Sequence, residues 1–204
     1  MKRFITFNIL LSSMEELMVV TGPSCVGKTL FVNTLLHNLP LEKISMDSYQ
    51  VYQKFSIGTG RSDSLIPTHL QNFLNPKDYL PPDVYVRLAL DTVNRIEADD
   101  KHAIFEGCST SYLSALFTCG RQLEVVGIKP PSLEWMKEQF VRRVQSMIDT
   151  GLILEVERGL ALGYRKTRVL SETAVYLPVV EHVDGKITLT EAIERSPTLK
   201  GGDS

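Results

Sequence analysis

Eight consecutive residues, Gly22-Pro23-Ser24-Cys25-Val26-Gly27-Lys28-Thr29, spell G-x-x-x-x-G-K-T. The glycines let the backbone curl so that successive N–H groups face inward, where phosphate oxygens accept from them. The helix that must follow adds its positive N-terminus, Lys28 a point charge, and Thr29 a hydroxyl that can hold Mg²⁺. Such a loop binds phosphate without naming the reaction, since kinases, nucleoside triphosphatases and diphosphate-dependent transferases all use it. A second chemical group follows at Asp47, which ends the apolar strand-like run Ile44-Ser45-Met46. A carboxylate at that tip can be a metal ligand, a general base or a cap for the next turn, and spacing alone does not choose.

These residues need a frame. Leu17-Met18-Val19-Val20-Thr21 reads as a buried parallel strand entering the loop, and Leu30, Phe31, Leu35, Leu36 and Leu39 fit a helix stopped by Pro40. Ser56 to Pro82 carries Gly58, Gly60, Pro67, Pro76, Pro81 and Pro82 and reads as loop-rich, not regular throughout. Val84–Ala98 has helical periodicity, His102–Gly107 is a third strand, Ser111–Phe117 a short helix, and Leu123–Ile128 a fourth strand closed by Pro130-Pro131. Helical patterns then run over Ser132–Thr150, with Ser132 as N-cap, and over Ile153–Leu162, Ser171–Val183 and Thr190–Arg195. Strands alternating with helices predict an α/β fold: a P-loop NTPase-like parallel sheet flanked by helices, with a helical C-terminal part and ligands at the carboxyl ends of the strands. One domain is expected over 14–195, with an N-terminal extension over 1–13 and a flexible tail over 196–204.

The 204 residues are 43% hydrophobic, ample for a core, and carry a net charge of −2. That balance does not suit a surface built throughout to neutralise a nucleic-acid backbone, although a local basic groove stays open. Cys25, Cys108 and Cys119 share no metal-ligand spacing and cannot all pair, so a reducing cytoplasm is expected. Met1-Lys2-Arg3 and the apolar run Phe4–Leu11 mimic parts of a signal peptide, but Asn8 interrupts the run and no small-residue cleavage pattern follows. An extra strand, a disordered arm or an overextended reading frame starting truly at Met14 are the alternatives. No apolar stretch is long enough to span a membrane.

The phosphate loop, then Ile44-Ser45-Met46-Asp47-Ser48-Tyr49-Gln50-Val51-Tyr52 and Ile57-Gly58-Thr59-Gly60-Arg61, together resemble the isopentenyltransferase family. Further blocks follow in order: His69-Leu70; the serine-rich turn Glu106-Gly107-Cys108-Ser109-Thr110-Ser111-Tyr112-Leu113; and the helix segments Arg142–Met147, Gly151-Leu152 and Glu155-Val156. The resemblance runs from about Met18 to Glu194. It implies transfer of a dimethylallyl group from dimethylallyl diphosphate to N6 of adenine, with Mg²⁺. Lys28 and Thr29 would then bind the diphosphate leaving group, and Asp47 would take a hydrogen bond or proton from the amine. Ser109 would stand where a family hydroxyl touches the diphosphate, and Arg143, beside Arg142, would add positive charge. A solvated helix face is the competing reading of both arginines; for His69 a loop hydrogen bond is expected rather than catalysis. Cys108 departs from the family's usual glycine.

For the acceptor, two absences matter. The tRNA-modifying members carry a long helical insertion between the serine-rich turn and the last core strand, where this chain has only Phe117–Leu123, and they continue in a basic, aromatic stretch beyond the segment matching Glu191–Arg195. Thr59-Gly60-Arg61 and Glu106–Ser111 also look closer to the free-nucleotide, cytokinin-type branch. The expectation is therefore a free adenine nucleotide such as AMP, with tRNA as the alternative acceptor. An ATP-dependent small-molecule kinase with Asp47 as base, or a binding protein without turnover, are the rival readings.

Overall fold

The computed structural model describes residues 16–61 and 66–196. The readings of the first thirteen residues, and all of the expected tail except Ser196, lie outside them. Ser196 itself is buried, its hydroxyl donating to the Ala192 carbonyl at 2.8 Å. The sequence reads as one domain over 14–195; within it the described residues gather into two compact units, 16–48, 66–70 and 80–129 in the first and 49–61, 71–79 and 130–196 in the second.

The first unit is built on short strands, two of which, Leu17–Thr21 and His102–Gly107, carry apolar runs without alternation, as burial on both faces of a parallel sheet requires. They are β1 (Leu17–Thr21), β2 (Leu41–Ser45), β3 (Thr68–His69), β4 (His102–Gly107) and β5 (Leu123–Gly127), all parallel in the order β3-β2-β4-β1-β5. Met18 and Val20 of β1, Ile104 of β4 and Leu41 form one buried layer with Val32 of helix α1 (Lys28–Leu36), and Leu35, Leu36, Val126 and Ile128 close around it. Residues of opposite parity, Val19, Ile44 and Phe105, are fully buried as well. Each such side chain contributes about 1.5–3 kcal/mol on leaving water. Helix α2 (Pro82–Ala98) opens with proline in its first turn and Asp83 behind it, and buries Tyr85, Val86, Ala89, Val93 and Ile96 at helical spacing. It packs on β4, with α3 (Thr110–Leu116) against it.

The second unit holds α4 (Leu133–Asp149), α5 (Leu152–Ala161), α6 (Arg168–Glu172), α7 (Tyr176–Val183) and α8 (Leu189–Arg195). Ser132 caps α4 as expected, accepting from the Trp135 N–H, and Thr188 with Glu191 forms a capping box on α8. Phe55 lies edge-on to Tyr164 and Tyr176 in its core.

Three of the strands match the sequence reading closely; the second, read over Ile44–Met46, instead runs Leu41–Ser45, and two further features differ. β3 lies inside the stretch read as loop-rich, because a two-residue edge strand is too short to show periodicity amid glycines and prolines. The helix expected over Ser171–Val183 is two, with Thr173 extended between them. Pro178 explains the break: it offers no N–H and crowds the carbonyl four residues earlier, so it is tolerated only in the first turn of a helix restarting at Tyr176.

Candidate active site

The phosphate loop emerges from β1 and closes onto α1 through left-handed backbone at Gly22 (φ 144°), Cys25 (67°) and Gly27 (92°). Cys25 is the residue that pays sterically for the curl, at a cost of about 1 kcal/mol for such a conformation. Gly22 has no alternative, because a Cβ there would sit 2.3 Å from the Ile128 carbonyl oxygen. That approach is fixed by the Ile128 N–H, which donates to Thr21 at 2.9 Å. Pro23, Ser24 and Val26 fill the remaining positions of the turn. Lys28 folds across its own loop, its ammonium donating to the Gly22 and Pro23 carbonyls at 2.9 and 2.7 Å. This holds the charge inside the curl and leaves a third N–H for a bound anion.

Asp47 stands two residues beyond β2, at the carboxyl edge of the sheet. The turn after β4 brings Cys108 to it, with the thiol 3.7 Å from the Asp47 carboxylate. On its other side the thiol meets the Ser24 hydroxyl, and it lies within the field of Lys28. Cys108 thus joins the phosphate loop to the carboxylate. Although the residue opens to solvent, its sulfur sits deep among protein atoms; that burial first, and the like charge of Asp47 second, push the thiol up to about 11. Cys108 has none of the left-handed backbone that would demand glycine. Gly107 must be glycine for space rather than for backbone angle: a Cβ there would lie 2.0 Å from the Met46 carbonyl oxygen.

Of the other expected site residues, Ser109 caps α3, accepting from the Tyr112 N–H at 3.4 Å, and its hydroxyl lies 3.1 Å from that of Ser111. Arg142 faces solvent and pairs with Glu138 one helical turn away at 4.0 Å. Arg143 donates to the Gly60 carbonyl at 3.4 Å and packs so closely that a Cβ on Gly60 would overlap it. His69 lies on β3 rather than in a loop, and its ring bonds Glu42 of the neighbouring strand β2 at 2.7 Å.

The structure adds residues that the sequence reading left without a role. Thr29 donates its hydroxyl proton to Glu106 Oε1 at 2.5 Å, and Glu106 Oε2 lies 3.3 Å from the ammonium of Lys43. A charged residue in a strand that is otherwise buried was the available signal, since an unpaired buried lysine is costly. In the second unit Glu155 accepts from the Ser56, Ile57 and Gly58 N–H groups at 2.8, 3.0 and 3.1 Å and from the Tyr176 hydroxyl at 2.5 Å. Burial, and then the charge of Glu155, hold the Tyr176 phenol far above its usual range. Among the described residues no three His, Cys, Asp or Glu side chains stand together as a metal cage. The hydroxyl oxygen of Thr29 nonetheless suits Mg²⁺, an ion that takes few protein ligands and completes its shell with water and substrate phosphate.

A parallel sheet entered by this loop, with Asp47 at the carboxyl end of a strand one removed from β1, defines an α/β protein of P-loop NTPase-like fold. A family model described as isopentenyl transferase matches residues 15–158, and one described as IPP transferase matches residues 120–198. The chain belongs to the isopentenyl transferase family, in agreement with the transferase class expected from its motifs. It is 33% identical to a tRNA dimethylallyltransferase of Fervidobacterium nodosum over 102 residues, 48% of this chain and a third (33%) of that relative's length. To the tRNA dimethylallyltransferase of Petrotoga mobilis it is 24% identical across 89% of this chain and 86% of the relative. That alignment extends over 259 positions, more than the 204 residues here, so the relative carries inserted residues without counterparts in this chain. The full-length tRNA isopentenylpyrophosphate transferase of Bacillus halodurans shares the fold, with a TM-score of 0.78 at 21% identity over 91% of this chain and 82% of that one.

These relatives overturn the expectation of a free adenine nucleotide as acceptor, and with it the cytokinin-type branch. They are tRNA-modifying proteins, and the likeness extends over most of the chain. The physical flaw lay in two inferences. Net charge averages over the whole surface and does not report a local groove. A missing insertion changes the extent of a surface, not the chemistry beside the phosphate loop. Among the described residues no helix is long and apolar enough to cross a membrane, and no disulfide joins Cys25, Cys108 or Cys119.

Proposed function

We propose that this chain transfers a dimethylallyl group from dimethylallyl diphosphate to the N6 amine of an adenine in tRNA, releasing diphosphate. The observation that carries the reading is the junction at Cys108, which sets Asp47 beside the phosphate loop in a member of the isopentenyl transferase family. The allylic C–O bond breaks and the N6–C bond forms. As the C–O bond breaks, charge develops on the diphosphate, where the inward N–H groups of Gly22–Thr29 and the Lys28 ammonium are already fixed and stabilise it. Asp47 orients the weakly nucleophilic amine and receives its proton. Mg²⁺, held on Thr29, would neutralise the leaving group. The compartment of this reading is a reducing cytoplasm, in keeping with three cysteines that share no metal-ligand spacing and cannot all pair.

The test is to incubate the protein with Mg²⁺, dimethylallyl diphosphate and, in parallel, unmodified tRNA, AMP, ADP and ATP, and to read prenylated adenine by mass. Product with tRNA is expected. No product with any acceptor sinks the transferase reading, and product with AMP alone removes tRNA. ATP turnover that needs no dimethylallyl diphosphate would mark a kinase instead.

A further inference from the structure

Glu106 is the penultimate residue of β4, in register with Val20 of β1 and Ser45 of β2, so its side chain emerges between the strand that feeds the phosphate loop and the strand that leads to Asp47. Both of its oxygens are engaged. Oε1 accepts the Thr29 hydroxyl at 2.5 Å, and Oε2 faces the Lys43 ammonium at 3.3 Å, with side-chain exposures of only 11% for Glu106 and 4% for Lys43. A threonine hydroxyl has one proton and two lone pairs. It offers a lone pair to a cation only if its proton points elsewhere, and groups that take such protons orient metal ligands as effectively as the ligands themselves bind. The short bond to Glu106 places that proton away from the loop. Lys43 fixes the carboxylate from behind, at a depth where neither charge is stable without the other.

We infer that Glu106, braced by Lys43, is a positioning residue: it takes the Thr29 proton and so presents the hydroxyl lone pairs to the divalent cation that accompanies the diphosphate. This rests on the diphosphate reading of the loop given above. The competing role, a purely structural ion pair, predicts loss of stability on disruption but no coupling between Glu106 and Thr29 in cation binding.

The experiment uses the full chain with inorganic diphosphate and Mn²⁺ as the probe, free and bound ion being distinguished by electron paramagnetic resonance. Glu106→Leu/Lys43→Met removes both buried charges together, so the fold is not left with an unpaired one. It should weaken Mn²⁺ binding about 10–100-fold, the usual loss when such a supporting partner is removed. Glu106→Gln/Lys43→Met, which keeps an acceptor for the Thr29 proton, should recover most of that affinity. Adding Thr29→Ala to the Leu/Met pair should cost little more than Thr29→Ala alone, since the two act on one contact. Unchanged Mn²⁺ affinity in the Leu/Met pair, no recovery with glutamine, or losses that multiply with Thr29→Ala would each overturn the inference. Should the paired variants not fold, Glu106→Asp gives the same reading: a carboxylate drawn back by one methylene should weaken Mn²⁺, and native affinity overturns the role. Failure of the native protein to take up Mn²⁺ with diphosphate overturns the loop reading and this inference together.

Discussion

On the proposed function, the Gly22–Thr29 loop and the Ser56–Gly58 turn both offer backbone N–H groups to an anion, and they would obtain it from opposite sources. In Gly22–Thr29 the anion would, on that function, arrive with the substrate, and the loop is curled in advance by residues that carry the curl themselves, at Gly22, Cys25 and Gly27. In the turn the chain supplies its own anion: Glu155, from a helix 97 to 99 residues further along, accepts all three N–H groups and is locked by Tyr176. Gly58 is glycine because a Cβ there would meet the Tyr176 ring at 2.4 Å. The curl of the loop is therefore carried largely by local sequence, whereas the anion of the turn is delivered by tertiary contact.

Substitutions separate the two. Asp47→Asn, beside the loop, should lower single-turnover prenyl transfer roughly a hundredfold or more while leaving the melting temperature nearly unchanged. A large loss of stability instead would make Asp47 a structural cap. Glu155→Ala, in the turn, should cost about 2 kcal/mol of folding stability, some thirtyfold in the folding equilibrium, because several N–H groups lose a charged acceptor at once. Denaturant unfolding measures it, with faster hydrogen exchange at Ser56–Gly58; unchanged exchange there would show that other contacts hold the turn.

A third, smaller effect concerns Cys108. A thiol raised to about 11 is mostly protonated at pH 8, and after allowing for the greater nucleophilicity of its thiolate it should react with an aromatic disulfide reagent about tenfold more slowly than an ordinary thiol. The rate should climb until about pH 11, and Asp47→Asn should raise it at every lower pH by removing the like charge. A rate independent of that substitution would break the link between the carboxylate and the thiol. Smallest of all, Arg142→Ala should change stability by less than about 0.5 kcal/mol, as for exposed pairs one helical turn apart. A larger loss in thermal unfolding would show that the solvated-face reading of Arg142 is wrong.

The boundaries of β4 and β1 were legible in the sequence because their apolar runs and flanking turn residues lie within a few positions of each other. The Ser132 cap on α4 was legible for the same reason, since an N-cap acts over three residues. Pro178 was visible too, but its effect depended on where a helix restarted. The acceptor was misjudged from bulk charge, which carries no positional information.

By itself, then, the sequence determined the phosphate loop, the strand that feeds it and the carboxylate of Asp47, since each rests on residues adjacent in the chain. Only the tertiary structure decided that Thr29 gives its proton to Glu106, that Lys43 stands behind that carboxylate, and that Glu155 closes the Ser56–Gly58 turn. Those contacts join residues tens of positions apart. Strand register and helix packing set their distances, and no local pattern encodes a distance across a sheet.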